Sequence, residues 1–121
     1  MKKVLIVDDA AFMRLSLRRI IEKSGFEVIG EAENGLAAVK LYRQLKPDIV
    51  TMDITMQELN GIDALKMIKS LDNNARIIMI TSLGHKDKVG EAIRAGAVAF
   101  ILKPFNESFI EKSLKLVTAK Q

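Results

Sequence analysis

The 121-residue sequence predicts an α/β fold: a single doubly wound (βα)5 domain with a parallel five-stranded sheet in the order 2-1-3-4-5. Two observations predict it. Four short runs are almost wholly apolar and rich in Val and Ile, as strands buried on both faces of a parallel sheet are. Between them the apolar spacing changes to the period of a helix with one buried stripe on a charged surface. Repeated β-α units with short links wrap by right-handed crossovers, and for five strands the doubly wound order follows.

Each element can be read in turn. Val4 to Val7 forms the first run, followed by the stripe Met13, Leu17, Ile20 and Ile21, which stops at Ser24-Gly25. Val28 and Ile29, flanked by Glu27 and Glu31, make a shorter, more polar run suited to a sheet edge. Asn34 stands where an N-cap is wanted, before Ala38, Leu41, Tyr42 and Leu45. Ile49 to Met52 is the third strand; Asn60 then caps a helix carrying Ala64, Leu65, Ile68 and Leu71. Ile77 to Ile80 precedes Val89, Ala92 and Ile93, closed by Ala95-Gly96. Val98 to Leu102 is the last run, and Asn106 opens a helix with Ile110, Leu114 and Val117. No linker or low-complexity segment intervenes, so one domain over residues 1–121 is expected.

Composition removes several function classes. There is no Cys, which excludes disulfides, thiolate metal sites and cysteine nucleophiles, and the single His85 cannot build a histidine-rich metal site. The net charge of +4 is scattered, and with 5% aromatics and no Trp the pattern is a solvated basic surface rather than a nucleic-acid face. No apolar run approaches the roughly 18 residues of a membrane span, and MKKVLIVDD turns acidic before a signal-peptide core forms. A cytoplasmic protein is expected. The Met residues, Phe12 and Met13 are expected to serve packing, and His85 to be a loop residue rather than a ligand.

The strand ends carry the chemistry. Asp8-Asp9, Asp53, Thr81 and Lys103 close four of the five runs, all on one sheet edge. Neighbouring strands lie about 4.8 Å apart, so adjacency of strands 1 and 3 brings three carboxylates together. Two carboxylates roughly 4 Å apart repel by about 4 kcal/mol at an effective dielectric of 20, which calls for a proton or a cation. An all-oxygen cluster with a lysine at its rim suits Mg2+, and Mg2+ commonly shares a phosphate oxygen. A carboxylate can be the nucleophile toward phosphorus, with Thr81 and Lys103 meeting the phosphoryl oxygens. Taken singly, each residue also has a structural reading. Asp8 or Asp9 could cap the first helix, Asp53 could close a turn, Thr81 suits a strand, and Lys103 could be a solvated lysine before Pro104.

"LIVDDAAFMR", "IVTMDITM", "IIMITS" and "FILKPF" together resemble the receiver domain of two-component response regulators, nearest the stand-alone chemotaxis (CheY-like) type. Receiver domains are themselves a type example of the 2-1-3-4-5 order. The resemblance implies that Asp53 is the phosphoacceptor, and that Asp9, Asp53 and the Thr55 backbone carbonyl hold Mg2+, with Asp8 acting mostly through water. It also implies a switch hydroxyl at Thr81, a phosphate-binding Lys103, an aromatic switch at Phe100 and a cis Lys103-Pro104 bond. The family often has Tyr at the switch position, and Phe lacks the hydroxyl that could anchor an inward or outward state. The expected partners are a sensor histidine kinase and an effector such as a flagellar motor switch protein or a phosphatase, met by the surface of the fourth helix, fifth strand and fifth helix. The implied protein is a monomer that binds neither membrane nor nucleic acid. It is not an enzyme beyond Mg2+-dependent self-phosphorylation and slow self-dephosphorylation.

Rival readings leave their own marks. A haloacid-dehalogenase-like phosphatase would want an acid two residues after Asp53, where Thr55 stands. An FMN-binding flavodoxin-like module would want a Ser/Thr-rich phosphate loop where "DDAAF" lies. A receiver cut from a longer DNA-binding regulator would read the same within these residues. One position departs from the receiver pattern: Gln57 stands where the family usually has Pro. A compatible Pro stabilises a loop by roughly 0.4–1 kcal/mol by restricting the unfolded chain. Gln57 is therefore expected to leave a softer loop beside the site. Titration should show weaker Mg2+ binding than in Gln57→Pro; equal binding would contradict this.

Overall fold

The computed structural model describes residues 1–56 and 58–119; Gln57 and the expectation attached to it lie outside them. The elements are β1 (Lys3–Val7), α1 (Ala11–Lys23), β2 (Glu27–Ala32), α2 (Gly35–Leu45), β3 (Ile49–Met52), α3 (Gly61–Leu71), β4 (Ile77–Ser82), a 3-10 helix (Leu83–Lys88), α4 (Val89–Arg94), β5 (Ala99–Lys103) and α5 (Glu107–Ala119). All strands pair in parallel in the order β2-β1-β3-β4-β5, as the sequence predicts.

Side chains alternate across the sheet, so each strand feeds two cores. Leu5, Val7, Val50, Met52, Ile77 and Met79 face α2, α3 and α4, where they meet Ala38, Leu65, Ile68 and Ala92. Val4, Ile6, Ile49, Ile78, Ile80 and Ile101 face α1 and α5, where they meet Leu17, Ile21, Ile110 and Leu114. Burying each large side chain contributes about 1.5–3 kcal/mol, and this burial on both faces fixes where every strand ends. The three Asn caps form as expected: the side chains of Asn34, Asn60 and Asn106 accept from the backbone N–H groups of Ala37, Asp63 and Phe109. Gly25 and Gly96 take positive φ just beyond α1 and α4, a conformation that favours glycine.

Several expectations need correcting. β2 is six residues long rather than the short Val28-Ile29 pair, because Gly30 to Ala32 continue pairing with β1 as far as Val7. β5 begins at Ala99, leaving Val98 half exposed, and extends to Lys103, which pairs with Ser82. Phe12 is 74% exposed, since it lies on α1 away from the buried Leu17 and Ile21. Ile93, Leu45, Leu71 and Met67 are likewise exposed. Leu45 and Leu71 sit at the last positions of α2 and α3, and Ile93 is turned outward beside the buried Ala92. The 3-10 helix before α4 left no periodic signal in the sequence.

Candidate functional site

The carboxyl ends of β1, β3, β4 and β5 place their closing residues in one cluster. Asp8, Asp9 and Asp53 each offer a carboxylate oxygen, all within 4.8 Å of one another. Asp8 and Asp53 are buried, whereas Asp9 stands exposed at the rim. The backbone fixes both buried acids: Asp8 N–H donates to the Ala32 carbonyl and Asp53 N–H to that of Val7, extending the sheet pairing by one residue. Gly61 adds to this support. Gly61 packs so closely beneath Asp53 that a Cβ there would collide with the Asp53 carbonyl, so the start of α3 presses against the strand end.

Three of the four carboxylate oxygens of the buried Asp8 and Asp53 accept hydrogen bonds among the described residues. Asp53 Oδ1 accepts from Thr81 Oγ1 at 2.6 Å and from the Ile54 N–H at 2.8 Å. Asp53 Oδ2 faces Lys103 Nζ at 3.6 Å, too long for a hydrogen bond, which leaves this oxygen the freer one. Lys103 Nζ instead donates to Asp8 Oδ2 at 2.9 Å, and Asp8 Oδ1 accepts from the Ala10 N–H. The capping reading of Asp8 thus fails: α1 begins after Ala10 without a side-chain cap, and Asp8 closes a local turn while holding the lysine.

Sequence reasoning assembled Asp8, Asp9, Asp53, Thr81 and Lys103, and the fold brings all five together. Phe100 lies further back on β5, opposite Met79 and partly buried in the α2–α4 side core. Met79 and Thr81 are two apart on β4, so Phe100 and Thr81 share one sheet face. The Lys103-Pro104 bond is cis. Two further contacts have no counterpart in the sequence pattern. Arg14 donates to the Asp8 carbonyl at 2.7 Å while bonding Glu31, and His85 Nε2 shares a hydrogen bond with Thr55 Oγ1. Neither the Arg14–Glu31 nor the His85–Thr55 pairing has a local spacing signature, because each joins stretches of chain far apart in sequence.

Electrostatics single out Asp9. Desolvation first, then the charges of Asp8 and Asp53, raise its carboxyl above the ordinary range, against the opposing pull of Lys103 and a backbone hydrogen bond. The all-oxygen donor set fits a hard divalent cation of the Mg2+ type and lacks the nitrogen and sulfur ligands of a zinc site. A cleft of about 320 Å3 lined by Asp9, Glu33, Asn34 and Glu58 adds negative charge at its mouth.

Residues 4–115 match the response regulator receiver domain. The chain belongs to this receiver family. It is 58% identical to the chemotaxis protein CheY of Thermotoga maritima, over 97% of this chain and 98% of that protein. It is 57% identical to CheY of Bacillus subtilis, over 85% and 86% of the two chains. Among solved structures, CheY in the CheX-CheY-BeF3-Mg complex of Borrelia burgdorferi superposes with a TM-score of 0.94 at 39% identity, covering 98% of this chain and 90% of that one. The chain is thus a response regulator receiver domain, similar along most of its length to chemotaxis CheY proteins. No helix among the described residues of this receiver is long and apolar enough to cross a membrane.

A raised Asp9 carboxyl keeps its proton to higher pH in the folded receiver than in the unfolded chain. Its contribution therefore favours the fold below the ordinary carboxylate range and is lost as pH rises through the raised value. Two charges within 4.8 Å repel by roughly 1 kcal/mol even at the dielectric constant of water. Urea unfolding in chelator at neutral pH should find Asp9→Asn more stable than the native chain by about that amount, with the gap closing in acid. Equal or lower stability at neutral pH would refute the repulsion.

Proposed function

We propose that this chain is the phosphorylation-controlled switch of a chemotaxis-type two-component relay, taking a phosphoryl group from a sensor histidine kinase onto Asp53. One observation carries the reading. Asp53 is held at a buried strand end with one oxygen fixed by Thr81 and Ile54, while the other is turned toward a lysine and, among the described residues, accepts no hydrogen bond. A carboxylate so oriented has one oxygen for attack and a cation for the charge that arrives.

Asp53 Oδ2 forms the new P–O bond as the P–N bond of the donor phosphohistidine breaks. The departing imidazole keeps the electron pair and takes a proton from solvent. Lys103 lies close enough to leave Asp8 for a phosphoryl oxygen, and the Thr81 hydroxyl can turn from Asp53 Oδ1 to another. Asp8, Asp9, Asp53 and the Thr55 backbone carbonyl would hold Mg2+, which when bound neutralises charge on the transferring group. Both Asp8 oxygens already have protein donors, which supports a contribution through water rather than direct ligation. The Borrelia CheX-CheY complex with BeF3 and Mg2+ supports the same ligand chemistry here, and its CheX supports a protein partner for the phosphorylated form.

The output is a change of surface. As Thr81 turns inward it clears space on the sheet face it shares with Phe100, and Phe100 moves toward it. This biases the face made by α4, β5 and α5, which meets the downstream effector, such as a flagellar motor switch protein. Moving such an equilibrium from 1:99 to 99:1 takes about 5.5 kcal/mol of differential stabilisation. Neither nucleic acid nor membrane has a role in this account, and the chain's own chemistry is limited to Mg2+-dependent self-phosphorylation and slow loss of the phosphoryl group.

Incubation with a small phosphodonor and Mg2+, followed by mass spectrometry, should reveal a single hydroxylamine-labile phosphoryl group that is missing in Asp53→Asn. Labelling that persists in that variant, or that needs no divalent ion, would overturn the assignment.

A further inference from the structure

Two bridges join the stretch that follows β3 to β4 and the chain beyond it. The first is Thr81 to Asp53. The second lies outside it: Thr55 Oγ1 and His85 Nε2 share a hydrogen bond of 2.5 Å across 30 residues of sequence. His85 is the one residue of the 3-10 helix with non-helical backbone angles (φ −109°, ψ 16°), so its side chain leaves the helix at a kink. Among the described residues, this is the only side-chain hydrogen bond or ion pair made by residues 83–88. Behind the bridge is a cleft of about 330 Å3 whose lining includes Ile54, Asp63, His85, Lys88 and Glu91, so the segment is not wedged in place by packing there. Glu91 is engaged elsewhere, by Lys66 at 3.2 Å.

We propose that His85 is a positioning residue acting through Thr55: its ring ties the segment after β4 to the loop that carries the metal site, so that cation binding and the ordering of residues 83–88 are coupled. The inference rests on the functional reading above, in which the Thr55 backbone carbonyl is a Mg2+ ligand. A side chain that holds Thr55 in place limits where that carbonyl can go. Conversely, a cation on the carbonyl fixes the hydroxyl that His85 grips. Linkage makes the effect reciprocal: whatever His85 adds to cation affinity, the cation adds to the order of the segment. The Asp53–Thr81 bridge changes partners on phosphorylation, while the Thr55–His85 bridge uses neither the acceptor carboxylate nor the Thr81 hydroxyl. It can therefore hold the two loops in register while the first bridge is exchanged.

A hydrogen bond of ordinary net strength corresponds to roughly a two- to tenfold change in an equilibrium constant. Calorimetric titration of the unphosphorylated chain with Mg2+ should show binding weakened by about that factor in His85→Ala. His85→Gln, whose Nε2 can stand in for that of the imidazole, should recover most of the affinity. Adding His85→Ala to Thr55→Val should cause no further loss, because both remove the same bridge. Hydrogen exchange of amides 83–88 supplies the second readout: Mg2+ should increase their protection in the native chain and not in His85→Ala. Native-like affinity and protection in His85→Ala, or additive losses in the double variant, would overturn the coupling while leaving the functional reading intact. A native chain that binds no Mg2+ would overturn both.

Discussion

The repulsion among three carboxylates at one sheet edge is the constraint on which the rest of the site depends. At 4.8 Å, two unit charges in a partly buried setting repel by about 3–4 kcal/mol, a sizeable share of the roughly 5–15 kcal/mol that stabilises a domain. The sheet imposes this proximity. β1 and β3 are neighbours, their Val7 and Met52 are paired, and the next residues are acids whatever their charge. Burial of the two cores on either side keeps the strands in register, so the charge has to be answered locally. Lys103 supplies the answer from the far end of the chain, 95 residues from Asp8, at 2.9 Å and with its side chain mostly buried. Removing one partner of a pair this buried would cost about 3–5 kcal/mol by leaving the other charge uncompensated.

That same balance makes the site responsive. One lysine sits between two acids, bonded to Asp8 and within 3.6 Å of Asp53, so added negative charge on Asp53 competes directly for it. Thr81 is in a similar position, since its hydroxyl is already committed to the oxygen beside the one that would be modified. Both side chains belong to strands, β4 and β5, whose other residues pack into the cores. In the proposed switch, a change at the acceptor would pass through Thr81 and along one sheet face to Phe100 rather than dissipate in a loop. Arg14, anchored by Glu31 and donating to the Asp8 carbonyl, braces the opposite side of the cluster.

The site was more legible in the sequence than the loops around it. Strand runs such as Ile49 to Met52 and Ile77 to Ile80 are apolar because both faces are covered, so the residues ending them announce their own position. The Asn caps were equally plain, since a short polar side chain before an apolar period has few other uses. Edges were harder to read. β2 has one flank unpaired, tolerates Gly30 and Glu31, and so lacks the apolar density that marks a strand. Phe12 shows the limit of reading by residue type, because its hydrophobicity says nothing about which side of α1 it occupies. The Thr55–His85 and Arg14–Glu31 contacts were invisible because they join stretches of chain that meet only after folding, and no periodicity records such a meeting.

Charge placed on Asp53 should be carried to Thr81 and Phe100. NMR spectroscopy of the isotope-labelled chain, titrated with beryllium fluoride in the presence of Mg2+, tests it most directly by putting a phosphoryl-like group on the acceptor without turnover. Saturable shifts are expected at Asp53, Thr81, Lys103 and Phe100, and their loss is expected in Asp53→Asn. Shifts confined to the acidic cluster, with Thr81 and Phe100 unmoved, would contradict it.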